Sequence, residues 1–371
     1  MTEDTHRQHM QLALALAANG VGRTAPNPPV GAVIVRDGMI VGKGFHPKAG
    51  EPHAEIFALV SAGMRAAGAD IYVTLEPCSH TGKTGPCADA LIGAGVKRVF
   101  VGMQDPNPKV AGRGIEKLRQ AGIEVVVGIE AEACLRLLAP FTRLISSGMP
   151  YCIYKTAMTL DGKTATATGD SKWISGEQSR LQVHQLRDRV EAIMVGIGTV
   201  LADDPLLNTR LPDGKGRDPL RVVVDSQLQM PVDAQMLQQQ SDAGTLVATC
   251  CDDKAKIAGL TQVGAEVLVC PKDNGQVCLS SLWGELGKRD VQRLLLEGGP
   301  RLAGAALKQG LIDQMMVYLA PKLIGGASDF GIFSGEGCQK LINAVPLVDL
   351  RFQQSGEDIL ITGEVERCSQ D

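Results

Sequence analysis

The chain has 371 residues, too many for one ordinary domain, and this length favours two compact units. With 44% hydrophobic and 21% charged residues, the composition excludes a wholly disordered chain. The net charge of −4 and the few aromatic residues (2 Trp, 4 Tyr and 7 Phe) argue against a nucleic-acid-binding surface.

Apolar runs such as Leu12–Ala18 and Val30–Val35 are much shorter than the ~20 residues of a membrane span. Glu3 and Asp4 stand where a signal peptide would have basic residues, so we expect no signal peptide and no membrane association. The ten cysteines are then more typical of free thiols or metal ligands than of disulfides. We therefore expect a cytoplasmic protein.

The first half of the chain alternates helix and strand. Apolar periodicity and glycine stops predict helices at Gln8–Ala18, Glu55–Ala67, Ala88–Ala94 and Arg113–Ala121. Strands are predicted at Gly31–Val35, Ile40–Gly44, Asp70–Leu75, Arg98–Gly102 and Glu124–Gly128, the first two joined by the Asp37-Gly38 turn. This order predicts an α/β domain.

A break at Ser146–Pro150 predicts a boundary, giving domains of residues 1–148 and 149–371. In the second domain we expect helices at Glu177–Arg189 and Arg301–Gln309. Strands are predicted at Tyr151–Ala157, Ala192–Gly196, Leu220–Asp225, Thr245–Thr249, Glu266–Val269, Arg293–Glu297, Gln314–Leu319 and Asp358–Glu364. This is a second α/β domain.

Three potential zinc ligands lie in the first domain: His53, Cys78 and Cys87. A catalytic zinc ion takes three protein ligands and leaves its fourth position to water, whose pKa it lowers. Glu55, two residues after His53, can lie beside the metal without binding it and carry protons from the water to a substrate. Core thiols and a capping histidine explain each residue singly, but their combination favours a catalytic zinc site.

The generic zinc-deaminase motif has two residues between its cysteines, whereas eight separate Cys78 from Cys87. A narrower family matches better. The motifs Pro26–Val35, His53-Ala54-Glu55, Glu76–Gly82 and Pro86-Cys87 resemble the deaminase half of bacterial bifunctional riboflavin-biosynthesis deaminase/reductases, where a long inter-cysteine segment is normal. The resemblance implies a cytidine-deaminase-like α/β/α zinc domain.

Gly85 departs from this family, which usually has a second proline there. The resemblance also implies that Asn27, His80 and Lys83 help to hold the pyrimidine or its phosphoribosyl group. Taken alone, Asn27 between prolines is equally typical of a turn, and Lys83 of a solvated loop.

In the second domain, Gly196-Ile197-Gly198 resembles a dinucleotide fingerprint but lacks its last glycine, so a tight turn explains it better. Gly298-Gly299 follows a buried strand and precedes a helix, which suits a cofactor phosphate, although a structural turn explains it almost as well.

Further motifs, Lys155–Lys163, Ser171–Ser175, His184–Arg187, Val195–Arg210 and Glu297-Gly298-Gly299, resemble the reductase half of the same family. This implies a dihydrofolate-reductase-like α/β domain that uses NADPH. The cofactor contacts it implies are Ala157, Trp173, Thr199, Asp203, Ser226, Gly299, Pro300, Arg301, Leu302, Ala303, Gly304 and Ala305. The substrate contacts it implies are Ser171, Arg187, Leu207, Arg210 and Glu297.

The side chains suit these roles. The planar guanidinium groups of Arg187 and Arg210 can each donate two hydrogen bonds to a phosphate, and the Glu297 carboxylate can bind ribose hydroxyls. Lys155 is a candidate catalytic proton donor or electrostatic partner. Without the resemblance, Arg187 would equally fit a surface ion pair beside Asp188, and Trp173 would fit a core position better.

We thus expect a bifunctional enzyme with Zn²⁺ and NADPH that acts on a small phosphoribosylaminopyrimidine. It would remove the 2-amino group hydrolytically and then reduce the ribosyl chain to ribityl. The alternatives are a nucleic-acid base deaminase and a nucleotide-binding regulator with structural zinc. The sequence allows a homo-oligomer, and most of the non-ligand cysteines are expected to be buried fillers.

Overall fold

The computed structural model describes residues 2–79, 85–108, 110–326 and 331–366. The chain divides into two compact units, Met1–Gly148 and Met149–Asp371. In the part of the chain that the structure describes, no helix combines the length and the apolar character that crossing a bilayer requires.

The first unit alternates helices and strands as predicted. Its helices are α1 Glu3–Ala17, α2 Ala54–Ala62, α3 Cys87–Gly93, α4 Arg113–Gln120 and α5 Ala131–Ser147. Its strands are β1 Gly31–Arg36, β2 Met39–Phe45, β3 Asp70–Leu75, β4 Arg98–Met103 and β5 Glu124–Val127. The strands form one sheet in the order β2-β1-β3-β4-β5, antiparallel at β2-β1 and β1-β3 and parallel from β3 to β5.

Strand β2 is glycine-rich because helix α2 lies directly against it. A Cβ atom at Gly44 would lie 2.3 Å from the Ala54 carbonyl oxygen, and one at Gly42 would lie 2.3 Å from the Ala58 carbonyl oxygen. Such contacts with backbone cannot be relieved by a side-chain rotation. The two glycines therefore set how closely α2, which begins at Ala54, approaches the sheet.

Gly44→Ala is expected to destabilise the first unit by about 2 kcal/mol, since the added methyl group pushes α2 away. Gly93→Ala is the control, because a Cβ there meets nothing within 4 Å and alanine favours helix α3. Urea unfolding of the two variants measures the difference. Wild-type behaviour of Gly44→Ala would contradict this explanation of the packing.

The second unit contains a larger sheet flanked by helices. Its helices are α6 Glu177–Arg187, α7 Ile197–Asp203, α8 Gln235–Gln238, α9 Lys254–Gln262, α10 Leu279–Lys288 and α11 Pro300–Lys308. Its strands are β6 Tyr151–Thr159, β7 Ala192–Gly196, β8 Leu220–Val224, β9 Thr245–Thr249, β10 Ala265–Val269, β11 Lys272–Asp273, β12 Gln276–Val277, β13 Arg293–Leu296, β14 Gln314–Ala320, β15 Leu347–Ser355 and β16 Asp358–Val365.

The main sheet of this unit has the order β10-β9-β8-β7-β13-β6-β14-β16-β15. It is parallel from β10 to β14, and β16 and β15 add an antiparallel edge. Its central strand β13 is completely buried, as the continuous apolar run Leu294-Leu295-Leu296 predicts. The mixed α/β class predicted for both units is confirmed.

Several elements escaped prediction for identifiable reasons. Helix α5 contains Pro140, which sequence reasoning treats as a helix breaker. Strand β15 is exposed along almost its whole length and carries a bulge near Asp349, so it has no alternating apolar pattern. The turn expected at Gly196-Ile197-Gly198 is instead the start of helix α7, with Gly196 as its N-cap.

Candidate functional site

The predicted zinc ligands lie at the ends of three elements of the first unit. His53 is the N-cap residue of α2, Cys78 follows β3, and Cys87 is the first residue of α3. The Cys87 N–H donates to Cys78 Sγ at 3.3 Å, and the Ala88 N–H donates to the Cys78 carbonyl at 3.1 Å. Backbone hydrogen bonds therefore join the two cysteine segments.

The three potential ligand atoms lie close enough together to share one zinc ion. The Nδ1 atom of His53 lies 3.6 Å from Cys78 Sγ and 3.3 Å from Cys87 Sγ, and all three atoms lie within 4.8 Å of one another. Zinc–ligand bonds of about 2.0–2.3 Å place the ligand atoms roughly 3.4–3.8 Å apart. Among the described residues, these three form the group that can hold a metal ion.

The three side chains shift one another's pKa values. Hydrogen bonds from Cys87 and His53 lower the pKa of the Cys78 thiol to about 4, and Cys78 in turn raises the pKa of His53. The hydrogen bond to Cys78 raises the pKa of Cys87. A thiolate is the form of cysteine that binds zinc, so the environment of Cys78 suits this role.

Glu55 lies in the first turn of α2 and is only 3% exposed. Burial raises its pKa to about 7, although the nearby charge of His53 opposes the shift. A carboxyl group with a pKa near the working pH both accepts and returns protons efficiently. The structure thus places a buried carboxyl group with a raised pKa next to the three predicted ligands.

Glu76, which sequence reasoning passed over, supports the ligand segment. Its buried carboxylate accepts backbone hydrogen bonds from Asp105 (3.2 Å), Gly112 (2.9 Å), Gly114 (2.8 Å) and Ile115 (3.3 Å). These donors lie before and within the first turn of α4, where a carboxylate is stabilised by free N–H groups and the helix dipole. No local pattern points to this role, because the donors lie 29 to 39 residues further along the chain.

Asn27 is connected to the metal ligands through His46, a second residue that the sequence analysis missed. The Asn27 amide donates to His46 Nε2 at 3.1 Å, and His46 Nδ1–H donates to the Pro52 carbonyl at 3.0 Å. The His46 ring lies edge-on to the His53 ring at 5.3 Å. The other two expected substrate contacts, His80 and Lys83, lie outside the described residues.

In the second unit, three of the expected residues form a largely buried ion-pair cluster. Arg187 donates from Nε and Nη2 to the two carboxylate oxygens of Glu297 at 2.9 and 3.0 Å. The Lys155 ammonium lies 3.6 Å from the same carboxylate. Arg187 and Glu297 side chains are only 13% and 11% exposed. The acidic partner of Arg187 is therefore Glu297, and not the neighbouring Asp188 that a surface ion pair would use.

Arg210 lies beside this cluster but is exposed. Its Nη1 donates to Asn208 Oδ1 at 2.6 Å, and its backbone N–H donates to His184 Nδ1 at 3.2 Å. Arg187 Nη1 donates to the Asn208 carbonyl at 3.0 Å, so its fork is occupied by protein groups. Arg210 is therefore better placed than Arg187 to offer N–H groups to a phosphate. Leu207, with a positive φ of 51°, is buried at this turn.

The charges of the cluster are strongly coupled. Burial raises the pKa of Glu297, but the positive charges of Arg187 and Lys155 outweigh it and bring the pKa to about 2. Burial, together with Arg187 and Arg210, lowers the pKa of His184 to about 4. At neutral pH the group thus combines three cations with one carboxylate, which suits an anionic ligand.

The expected cofactor segment 299–305 begins with Gly299, the N-cap residue of α11, and Pro300, its first residue. A Cβ at Gly299 would lie 3.9 Å from Thr199 Oγ1, so these two expected contacts are neighbours. Pro300 has no N–H and the Ala303 N–H is bonded to the Gly299 carbonyl, which leaves Arg301 and Leu302 as N–H donors.

The rest of the segment is less suited to contact a cofactor. Ala303 is completely buried, and a Cβ at Gly304 would lie 2.0 Å from the Ser334 carbonyl oxygen. Gly304 therefore allows the Ser334 segment to approach α11. The N–H groups that could face a cofactor therefore belong to the first turn of α11. Ala305, in the second turn, is also exposed.

The remaining expected contacts lie on separate elements of the second unit. Ala157 lies on β6, Asp203 ends α7, and Ser226 follows β8, where its hydroxyl accepts the Val277 N–H at 3.1 Å. Ser171 and Trp173 lie between β6 and α6. The core position that composition favoured for Trp173 is wrong, because its side chain is 62% exposed.

The expectation that most non-ligand cysteines are buried is also wrong. Cys134, Cys152 and Cys270 are buried, but four others in the described residues are not. Cys250, Cys251 and Cys278 are partly exposed and Cys338 is exposed. Neither cysteine count nor local hydrophobicity distinguishes these environments.

Family models match both units. The cytidine and deoxycytidylate deaminase zinc-binding region matches residues 3–103, and the RibD C-terminal domain matches residues 150–361. The zinc ligands and Glu55 lie within the first match, and the ion-pair cluster lies within the second. The first unit therefore carries a zinc-binding deaminase region and the second a RibD reductase domain.

Relatives extend the similarity over nearly the whole chain. The riboflavin biosynthesis protein RibD of Actinobacillus pleuropneumoniae is 47% identical over 96% of this chain and 94% of its own. The Acinetobacter baumannii RibD structure is 38% identical, covers 99% of this chain and 100% of its own, and has a TM-score of 0.87.

A Thermotoga maritima structure, described as a diaminohydroxyphosphoribosylaminopyrimidine deaminase/5-amino-6-(5-phosphoribosylamino)uracil reductase, is 34% identical with a TM-score of 0.84. It covers 98% of this chain and 99% of its own. With both domain models matched in order and full-length relatives above 40% identity, the chain belongs to the RibD family of bifunctional riboflavin biosynthesis enzymes, which combine a deaminase with a reductase.

Proposed function

We propose that residues 1–148 remove the 2-amino group of 2,5-diamino-6-(5-phosphoribosylamino)pyrimidin-4(3H)-one by hydrolysis. The observation that carries this proposal is the convergence of His53, Cys78 and Cys87 beside the buried Glu55. When bound by these three residues, zinc supplies the Lewis acidity that makes water nucleophilic near neutral pH. A donor set of three favours a catalytic ion over a structural one, which usually has four protein ligands.

The protein's own residues divide the remaining tasks. Glu55 accepts one proton from the attacking water and delivers it to the ring nitrogen. It then takes the second proton of that water, from the hydroxyl group added to the ring carbon, and delivers it to the amino group, which leaves as ammonia. Its burial keeps the transfer away from bulk water. Asn27, held by His46, binds the pyrimidine or its phosphoribosyl group, and His80 and Lys83 are proposed to assist.

We further propose that residues 149–371 reduce the ribosyl chain of the deaminated product to give 5-amino-6-(5-phosphoribitylamino)uracil. NADPH, when bound, supplies the reducing equivalent. Arg210 binds the substrate phosphate, and Glu297, held by Arg187 and Lys155, orients the ribose hydroxyls. Lys155 is the candidate proton donor, because its ammonium is held beside this carboxylate.

The cofactor is proposed to bind along the first turn of α11. The Arg301 and Leu302 N–H groups offer donors to a cofactor phosphate, with Thr199 beside Gly299. The other proposed contacts are Ala157, Trp173, Asp203 and Ser226, and Ser171 and Leu207 are proposed on the substrate side.

Purified zinc-loaded protein is expected to oxidise NADPH when the diaminopyrimidine phosphoriboside is added, with one ammonia released per NADPH consumed, because both reactions act on the same molecule in turn. Absorbance of NADPH and an ammonia assay measure the two rates. Supplying the deaminated product directly should give NADPH oxidation without ammonia. Absence of oxidation with either compound would contradict the reductase proposal, and salt-sensitive binding to RNA or DNA would favour a nucleic-acid deaminase.

A further inference from the structure

The second unit has an exposed tryptophan with a guanidinium group over one face of its ring. Trp173 is 62% exposed, whereas Trp283, the other tryptophan of the chain, is completely buried. The Arg180 guanidinium lies over the Trp173 ring, 4.8 Å from its centroid. A cation on one face stabilises the ring through its quadrupole and leaves the rest of the indole open. An exposed indole fixed in this way is suited to contact a flat ligand.

The segment that carries this indole, here called the Trp173 loop (Ser171–Gly176), is held mainly by side chains from elsewhere. Lys322 Nζ donates to the Trp173 carbonyl at 2.7 Å and to the Ile174 carbonyl at 2.8 Å. Arg180 Nη1 donates to the Ser175 carbonyl at 2.7 Å. Three consecutive carbonyl groups thus accept hydrogen bonds from two cationic side chains.

Two acidic residues hold the ends of the Trp173 loop. The Lys172 ammonium lies 3.3 Å from Asp203 Oδ1 at the end of α7. The Gly176 N–H donates to Asp358 Oδ2 at 2.7 Å, at the start of β16. The loop therefore depends on contacts with α6, α7, β16 and the segment after β14, and not on a regular secondary structure of its own.

The backbone at Lys322 and the residues after it is held by the segment that follows β6. Its carbonyl accepts the Leu160 N–H at 2.9 Å, just beyond β6. Asp161 accepts the N–H groups of Ile324 and Gly325, the latter at 2.7 Å. This anchoring ties Lys322 to the end of β6, the strand that carries Ala157.

We propose that Lys322 is a positioning residue for the reductase, which holds the Trp173 loop so that the indole is presented to NADPH. The inference rests on the proposed function, in which Trp173 contacts the cofactor. Lys322 and its two carbonyl partners are exposed, so water can replace the lost bonds and the folded state loses little stability. What is lost without Lys322 is preorganisation, so the cofactor must order the loop as it binds.

Lys322→Met keeps the length of the side chain and removes its hydrogen-bond donors. In the full zinc-loaded protein, we expect the Kd and KM for NADPH to rise about 10-fold while kcat changes less than about twofold. Acrylamide quenching of tryptophan fluorescence should increase, since the quencher reaches Trp173 but not the buried Trp283. Ammonia release by the first unit should be unchanged.

Two variants control this experiment. Lys322→Arg should restore NADPH binding to within about threefold of wild type, because a guanidinium can also donate to both carbonyls. Lys288→Met removes an exposed lysine on α10 that pairs with Glu285, and it should leave binding and quenching unchanged.

The outcomes separate this inference from the proposed function. We expect NADPH to shield Trp173 from acrylamide in the wild-type protein, and to shield it less in Lys322→Met at equal NADPH concentration. If NADPH binds without shielding Trp173 in the wild type, the proposed cofactor contact fails and the inference with it. If the wild type is shielded but Lys322→Met has wild-type Kd and quenching, the inference alone is overturned.

Discussion

Glu55→Gln is expected to lower ammonia release by about 10²–10⁴-fold, because glutamine keeps the shape of the side chain but cannot carry a proton. Zinc content should stay at the wild-type level, since the three ligand atoms come from His53, Cys78 and Cys87. Ammonia release and metal analysis of the same preparation measure both quantities. This combination separates a proton-transfer role from a ligand role.

Glu51→Gln is the matched control, because Glu51 lies close in sequence but is exposed and pairs with Lys48 at 3.8 Å. It should retain full deaminase activity. NADPH oxidation with the deaminated product should be normal in both variants, which shows that the second unit is intact. Retained deamination in Glu55→Gln would rule out Glu55 as the proton carrier, and loss of zinc would point to a ligand role instead.

Glu297→Gln is expected to abolish most reductase activity and to destabilise the second unit by about 3–5 kcal/mol. The change leaves Arg187 and Lys155 buried without their counter-charge, and an uncompensated buried charge is costly. Urea unfolding and NADPH oxidation with the deaminated product measure the two effects, while ammonia release reports the first unit. A stability equal to wild type would contradict the buried ion-pair description.

Glu266→Gln provides a control in which a surface carboxylate also accepts two hydrogen bonds from one arginine. Arg289 donates to both carboxylate oxygens of Glu266, but the Glu266 side chain is 55% exposed. An exposed pair of this kind contributes about 0–1 kcal/mol, so Glu266→Gln should be nearly neutral. The contrast between the two variants isolates the effect of burial from that of the salt-bridge geometry.

The same cluster predicts a pH dependence. The pKa of Glu297 is about 2 in the folded protein against an ordinary value of 4.5, so its ionised form stabilises the fold. This contribution is present above about pH 4.5 and is lost as the pH falls towards 2. Glu297→Gln should therefore lose less stability than the wild type over this acidic range, which urea unfolding at several pH values can measure.

The zinc site could be predicted because its chemistry restricts residue types. Only a few side chains bind zinc, and His53, Cys78 and Cys87 each stand at a helix start or strand end that local patterns reveal. Glu76 could not be assigned a role in this way. Two of its hydrogen-bond donors, the N–H groups of Gly112 and Gly114, are 36 and 38 residues further along the chain, and no local sequence pattern predicts these bonds.

The ion-pair cluster of the second unit shows what the sequence could not predict. The sequence and its family resemblance identified Lys155, Arg187, Arg210 and Glu297, but not how they divide the work. Arg187 binds Glu297 across 110 residues of chain, and this pairing occupies the fork that we had expected to bind a phosphate. Arg210 is exposed, and its side chain donates to Asn208, two residues away.

By itself, the sequence determined the α/β class and most strands, and it predicted the boundary near Ser146–Pro150 and the three zinc ligands, because hydrophobic period, turn residues and ligand chemistry are local properties. Only the tertiary structure decided the exposure of Trp173, the partner of Arg187 and the part played by Lys322. Lys322 meets the Trp173 carbonyl across 149 residues. Burial and ion pairing depend on which distant segments the sheet brings together, and no single stretch of chain contains that information.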